Sequence, residues 1–135
     1  MELIDIDRIL LELECLPEYD DWAYLQEAKE DPKREQDFTE FAYNIPYTNS
    51  VIKKLNMFRT RVMRLRSKTC YSYHKDPTQR IHIPLITNTS CFILLDKEVI
   101  HLPADGRHFI VDTTKMHTAI NASWEDRIHL VGCFQ

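Results

Sequence analysis

No Cys-x-x-Cys step occurs in this chain. Its four cysteines, Cys15, Cys70, Cys91 and Cys133, are widely scattered, which excludes a zinc ribbon and the dense pattern of a small secreted scaffold. Cys70, Cys91 and Cys133 fall in or beside expected strands and read as buried small hydrophobes. No apolar run approaches the roughly 18–20 residues that span a bilayer. The opening Met1-Glu2-Leu3-Ile4-Asp5-Ile6-Asp7 is acidic and lacks the basic and apolar regions of a signal peptide. A soluble protein in the reducing cytoplasm is expected, with no membrane partner. Glycine is scarce, at two residues in 135, so Asp105-Gly106 stands out as a tight hairpin turn. There is no internal repeat and no low-complexity tract.

Acid is missing from one long stretch. Residues 41–75 carry eight bases and no acid, residues 1–40 fourteen acids and four bases, and residues 76–135 seven acids and five bases. The net charge of −4 hides that asymmetry. In an acidic protein such a basic block reads first as the solvated face of one strand and one helix. The sharper alternative is that part of it faces an anionic substrate. Nucleic-acid binding through residues 53–68 leaves the histidines unexplained, so no nucleic-acid partner is expected.

What is present suffices for a single domain with its own core. Asp5 or Asp7 is expected to cap a short helix through Ile9, Leu10, Leu13 and Cys15, ended by Pro17. The polar stretch 26–37, which contains Pro32, is expected to be a loop, with a lid over a binding site as the alternative. A second helix is expected over 46–57, capped by Thr48 or Asn49, with Val51, Ile52, Leu55 and Met57 as its apolar positions. From residue 60 the period changes to two. Apolar runs at 61–66, 71–74, 80–86, 91–95, 99–102, 108–111, 118–120 and 128–131 alternate with turn residues. Seven or eight short strands at this spacing predict a mainly β sandwich or barrel.

All six histidines lie between positions 74 and 129. His74 and Asp76 form a His-x-Asp step, and residues two apart on a strand share a face, so the pair can hold one ion. Pro77 is expected to end that strand at a sheet margin. A further imidazole from another strand would complete the ligand set of a non-haem Fe(II) oxygenase, which leaves metal positions open. His117, forty-one residues after Asp76, is the first choice, and His101, His108 and His129 compete with it. Arg127 follows His117 by ten residues, the spacing of two adjacent strands and their turn. Such an enzyme needs a cation there to hold a dicarboxylate co-substrate.

Four segments in order resemble the aspartyl/asparaginyl β-hydroxylase family: residues 74–85 (His-Lys-Asp-Pro-Thr-Gln-Arg-Ile-His-Ile-Pro-Leu), 102–106, 117–121 and 125–130. The resemblance covers roughly residues 60–134 and does not extend to the first sixty. It implies a double-stranded β-helix (a cupin-like jelly roll) over residues 59–135, and the patterning described above makes residues 1–58 a helical and irregular part that precedes it. It further implies a dioxygenase that uses Fe(II), 2-oxoglutarate and O2 to hydroxylate an amino acid, peptide or protein side chain. By the same resemblance His74, Asp76 and His117 would bind Fe(II), and Arg127 would pair with the distal carboxylate of 2-oxoglutarate. Arg80 and His82 align with positions that line the co-substrate or substrate pocket. Some animal members carry glycine in place of the metal-binding carboxylate, whereas this chain has Asp76.

Two rivals follow from the same residues. A cupin-like metal- or ligand-binding module without turnover has no need of Arg127. A zinc hydrolase would need a spare general base beside the metal, and the carboxylate is already spent on coordination. Tyr71 and Tyr73 read as core packing ahead of pocket walls, and Trp124 as a packing or rim residue ahead of a substrate platform.

Overall fold

The computed structural model describes residues 2–29, 31 and 34–134. In chain order they form α1 (Ile6–Leu13), β1 (Trp22–Tyr24), β2 (Gln26–Glu27), a 3-10 turn (Glu35–Asp37) and β3 (Glu40–Phe41). Next come α2 (Pro46–Lys54), β4 (Phe58–Leu65), β5 (Thr69–Cys70), β6 (Gln79–Ile86) and β7 (Cys91–Leu95). β8 (Glu98–Ile100), β9 (Phe109–Val111), β10 (His117–Asn121) and β11 (Arg127–Phe134) complete the chain. The order β1-β4-β11-β6-β9 makes a five-stranded antiparallel sheet, and β5-β10-β7-β8 makes a four-stranded one. This is the jelly-roll arrangement expected of a mainly β chain.

The central strands β6 and β11 of the five-stranded sheet are buried on both faces for most of their length, and the alternation along the strands says why. On β6, Ile81, Ile83 and Leu85 point outward and join Val62 and Leu130 in a core with Ile9 of α1 and Val51 and Ile52 of α2. The residues between them, Arg80 and His82, point inward and are also buried. On β4, Arg59, Arg61 and Met63 alternate inward in the same way and line the cavity between the sheets. A smaller core of Leu65, Ile93, Leu102, Val111 and Ala119 closes one end of the interior. Here the polar face is the interior, and the apolar face meets the helices.

Several local expectations are corrected. Residues 1–58 are not solely helical and irregular, because β1 pairs with β4, Trp22 opposite Met63 and Tyr24 opposite Arg61. Thr48 and Asn49 do not cap α2; Ile45 stands at its N-cap and Pro46 opens it. The cap comes instead from Glu12 of α1, whose carboxylate accepts from the Tyr47 and Thr48 amides at 2.9 and 2.7 Å and from the Thr48 hydroxyl at 2.6 Å. Asp5 does cap α1, accepting from the Arg8 amide at 3.1 Å. Stretch 26–37 holds β2 and the 3-10 turn, while its Pro32 lies outside the described residues. Gly106 does not turn a hairpin, since β8 and β9 lie in different sheets. Its φ of +91° suits glycine, and a Cβ there would lie 2.9 Å from the Ile4 carbonyl oxygen. Cys70 is exposed on the short edge strand β5, so it is no buried hydrophobe; Cys91 and Cys133 are buried.

Candidate metal centre

His74 sits in a single bridge to His117, with reciprocal backbone bonds of 3.0 and 2.9 Å. The Asp76 amide donates to the Thr113 carbonyl at 2.8 Å. The His-x-Asp step therefore lies on an extended connection, not on a regular strand, and β10 holds it in place. One ligand atom from each of His74, Asp76 and His117 lies within 4.8 Å of the others. His74 Nε2 is 3.4 Å from Asp76 Oδ1, and His117 Nε2 is 3.2 Å from Asp76 Oδ2.

The tautomers follow from the other ring nitrogens. Nδ1 of His74 is 2.7 Å from the Ser72 carbonyl oxygen, and Nδ1 of His117 is 2.9 Å from that of Lys115. Each Nδ1 therefore carries the proton and donates it, which leaves both Nε2 lone pairs aimed at the Asp76 carboxylate. Two imidazole nitrogens and a carboxylate, each able to ligate a metal, converge on one point. A divalent cation fits that arrangement, and the donor set of two imidazoles and a carboxylate suits iron or zinc. Among the competing histidines, His101 Nδ1 meets the Cys91 carbonyl at 2.8 Å and His129 Nδ1 meets His82 Nδ1 at 3.0 Å. Neither they nor His108 join the cluster among the described residues.

The cluster opens on a cavity of about 360 Å³ lined also by Arg59, Arg61, Arg80, His82, Tyr71 and Arg127. Arg127 does not come from a strand adjacent to β10, as its spacing suggested. β10 and β11 belong to different sheets, so Arg127 enters from the opposite wall. Among the described residues its Nε is buried without a hydrogen-bond partner, as is the Tyr71 hydroxyl. Burial lowers the basicity of Arg127, and no acid within ion-pair distance among the described residues offsets it. Tyr71 is thus a cavity wall, whereas Tyr73 is about half exposed, at 49%.

Arg80 is engaged. Its guanidinium lies 2.9 Å from Glu35 Oε1 and 3.6 Å from Asp76 Oδ1. The Thr78 hydroxyl donates to Glu35 Oε2 at 2.9 Å, and Arg59 approaches Glu35 at 3.5 Å. Glu35 thereby reaches the His74–Asp76–His117 cluster through one guanidinium, a role that nothing in its local sequence signals. His82 is buried, and burial followed by the charges of Arg127 and Arg80 pushes its pKa down to about 3. Burial and Arg127 hold His129 well below the usual range as well. The pair is neutral near pH 7, one ring nitrogen donating to the other. Arg59, Arg61 and Trp22 were not singled out from the sequence, although the same-face alternation on β4 carries a signal for the first two.

Comparison with solved structures bears on the fold alone. A cupin superfamily protein from Desulfitobacterium hafniense superposes with a TM-score of 0.51 at 10% identity, covering 93% of this chain and 88% of that one. The plu4264 protein from Photorhabdus luminescens gives a TM-score of 0.48 at 18% identity, covering 56% of this chain and 61% of that one. This chain thus spans about six tenths of that relative's length. No curated protein matches the sequence. The family model for aspartyl/asparaginyl beta-hydroxylase matches residues 17–134, most of the described fold and every residue of the cluster, and the chain belongs to that family.

Proposed function

We propose that the protein is an Fe(II)- and 2-oxoglutarate-dependent dioxygenase that hydroxylates an amino-acid or peptidyl side chain. The observation that carries this is a cluster of three metal-ligand side chains facing a buried arginine across one cavity. One wall presents two imidazole Nε2 atoms and a carboxylate, and the other a buried arginine whose Nε has no hydrogen-bond partner among the described residues. His74, Asp76 and His117 would hold the metal, and their Nδ1–H bonds to backbone carbonyls fix the rings for it. Arg127 and the Tyr71 hydroxyl would hold the distal carboxylate of the 2-oxo acid, each supplying a donor that is otherwise orphaned. Arg80 and His82 border the same cavity, Arg80 steadying Asp76 and His82 offering a neutral ring. Fe(II) with 2-oxoglutarate and O2 supplies the oxidation of a C–H bond to an alcohol, with succinate and CO2 formed from the 2-oxo acid.

Anaerobic titration with Fe(II), then 2-oxoglutarate, tests this through the weak visible band of an iron-chelated 2-oxo acid. A band saturating at one equivalent is expected, and His74→Ala or His117→Ala should abolish it. Arg127→Ala should keep iron while 2-oxoglutarate affinity falls at least ~100-fold, since a buried carboxylate that loses its cation costs about 3–5 kcal/mol. Iron binding with no band would favour a cupin-like binding module, and no binding of either would make the cluster structural.

A further inference from the structure

His82 and His129 share one hydrogen bond, Nδ1 to Nδ1 at 3.0 Å, between rings that stand edge to face. Both rings are buried and neutral near pH 7, so one Nδ1 carries a proton and the other accepts it. Two arrangements satisfy that bond. If His82 donates, His129 carries its own proton on Nε2, and the Nε2 of His82 is a bare lone pair. If His129 donates, the bare lone pair is its own Nε2, and His82 carries its proton there instead. The two arrangements give opposite polarity to the free nitrogen of His82, a residue that lines the cavity of the metal cluster.

The surroundings of His129 decide between them. His129 is 2% exposed, and its Nε2 has no hydrogen-bond partner among the described residues. The ring does not line the large cavity; it borders a second, smaller void of about 10 Å³, room for one water molecule. Arg127 borders both spaces, Thr87 borders the smaller one, and no carboxylate among the described residues lines that void. A guanidinium has five N–H donors and no acceptor, and a carboxylate held in fork fashion engages two of them. Donors of Arg127 therefore remain for the smaller void. The charge that acts most strongly on His129 is also that of Arg127. An Nε2–H there would aim a positive dipole at a cation, whereas a bare Nε2 is the acceptor that the void otherwise lacks beside Arg127.

We infer that the smaller void binds one water between Arg127 and His129, and that His129 is thereby a positioning residue, which fixes His82 as a hydrogen-bond donor toward the large cavity. The chain has one direction throughout. An Arg127 N–H donates to the water, the water donates to His129 Nε2, and His129 Nδ1–H donates to His82 Nδ1. The proton of His82 then sits on Nε2. The second hydrogen of the water has the Thr87 hydroxyl as acceptor, which gives the water three partners, the usual number for a buried one. The cavity wall at His82 thus offers a donor and no lone pair. The proposed dioxygenase function enters only as the source of the other ligand of Arg127; the direction of the chain belongs to the apo-protein.

Long-range ¹H–¹⁵N correlation spectra of the ¹⁵N-labelled apo-protein at pH 7 read both tautomers directly. His129 should carry its proton on Nδ1 and His82 on Nε2, each form exceeding its alternative by at least ~10-fold, the worth of a buried polar atom left unpaired. Arg127→Met removes the charge and the donors but keeps a long side chain, and it should pull that ratio toward equality. Zn(II) added to the variant should still shift the His74 and His117 resonances, which shows that it folds. A high-resolution crystal structure of the wild-type apo-protein should place one water within hydrogen-bond distance of His129 Nε2 and of an Arg127 nitrogen. The opposite tautomers, a ratio unchanged in Arg127→Met, or a void without water each overturn the inference. Loss of the dioxygenase function shows separately, as a missing Fe(II)–2-oxoglutarate band, because none of these readouts uses iron or the 2-oxo acid.

Discussion

Glu35 holds two guanidinium groups, and through Arg80 it touches Asp76 of the proposed metal site. Replacing it by glutamine removes the charge that draws Arg80 away from Asp76. Groups that orient metal ligands from behind are worth about 10- to 100-fold in metal affinity. Glu35→Gln should therefore weaken Fe(II) binding by at least ~10-fold in a competition titration against a chelator, and unchanged affinity would reduce Glu35 to a structural role. The His82–His129 pair sets a pH dependence. Its folded pKa values lie below the usual 6.5, about 3 for His82, so the unfolded chain binds more protons between those limits. Stability is full above about pH 6.5 and declines as pH falls toward 3. Thermal melting of the apo-protein between pH 7 and 5, where few carboxylates titrate, should show that slope, and the double variant His82→Leu/His129→Leu should flatten it. At this scale the His-x-Asp step was legible because its spacing is local. Glu35 was not, because its partner Arg80 is forty-five residues away.

Among the elements, the strands were legible and the caps were not. Period-two alternation placed β4, β6, β7 and β11 to within a few residues, since each strand has two distinct faces whichever of them is polar. What alternation cannot say is which face is the interior. The basic block looked solvated, yet Arg59 and Arg61 face the cavity, while Arg64 and Arg66 pair with Asp126, Asp20 and Asp21 at the surface. β1 has only three residues, too short to display a period. The cap of α2 is a tertiary contact, so no local motif announces it. Burial raises the Glu12 pKa, but hydrogen bonds from Thr48 and Tyr47 and the charge of Arg8 outweigh that, so it stays below the usual value. Glu12→Ala should cost about 1–3 kcal/mol, the range for stranding buried donors at a helix start, read as a lower melting temperature at pH 7. In the wild type this contribution is present above the ordinary carboxylate range and is lost as pH falls through the depressed pKa.

At the scale of the whole molecule α1 and β1, from the acidic first forty residues, are part of the fold's wall. Ile9 and Leu25 are fully buried, and β1 extends the five-stranded sheet beyond β4. Deleting residues 1–40 uncovers Val62, Ile81, Ile83 and Leu130 and exposes β4 as an edge. The truncated chain should lose cooperative thermal unfolding by circular dichroism; a sharp transition in it would show that the core folds alone. No helix among the described residues is long and apolar enough to cross a membrane. The fold class was legible from strand count and spacing, whereas the attachment of the N-terminal part was invisible, because its contacts are long-range.

The link from Glu35 through Arg80 to Asp76 works in both directions. If docking of the 3-10 turn steadies the carboxylate for a cation, a bound cation must tighten the turn's docking by the same free energy. The Asp37 and Phe38 amides, bonded to the Arg34 and Glu35 carbonyls at 3.0 and 3.2 Å, then become reporters of metal occupancy some way from the metal. Their hydrogen exchange should slow on loading, and the slowing should vanish with Glu35→Gln. The same segment would register an empty centre as looseness at the surface, where a protease or a partner meets it first.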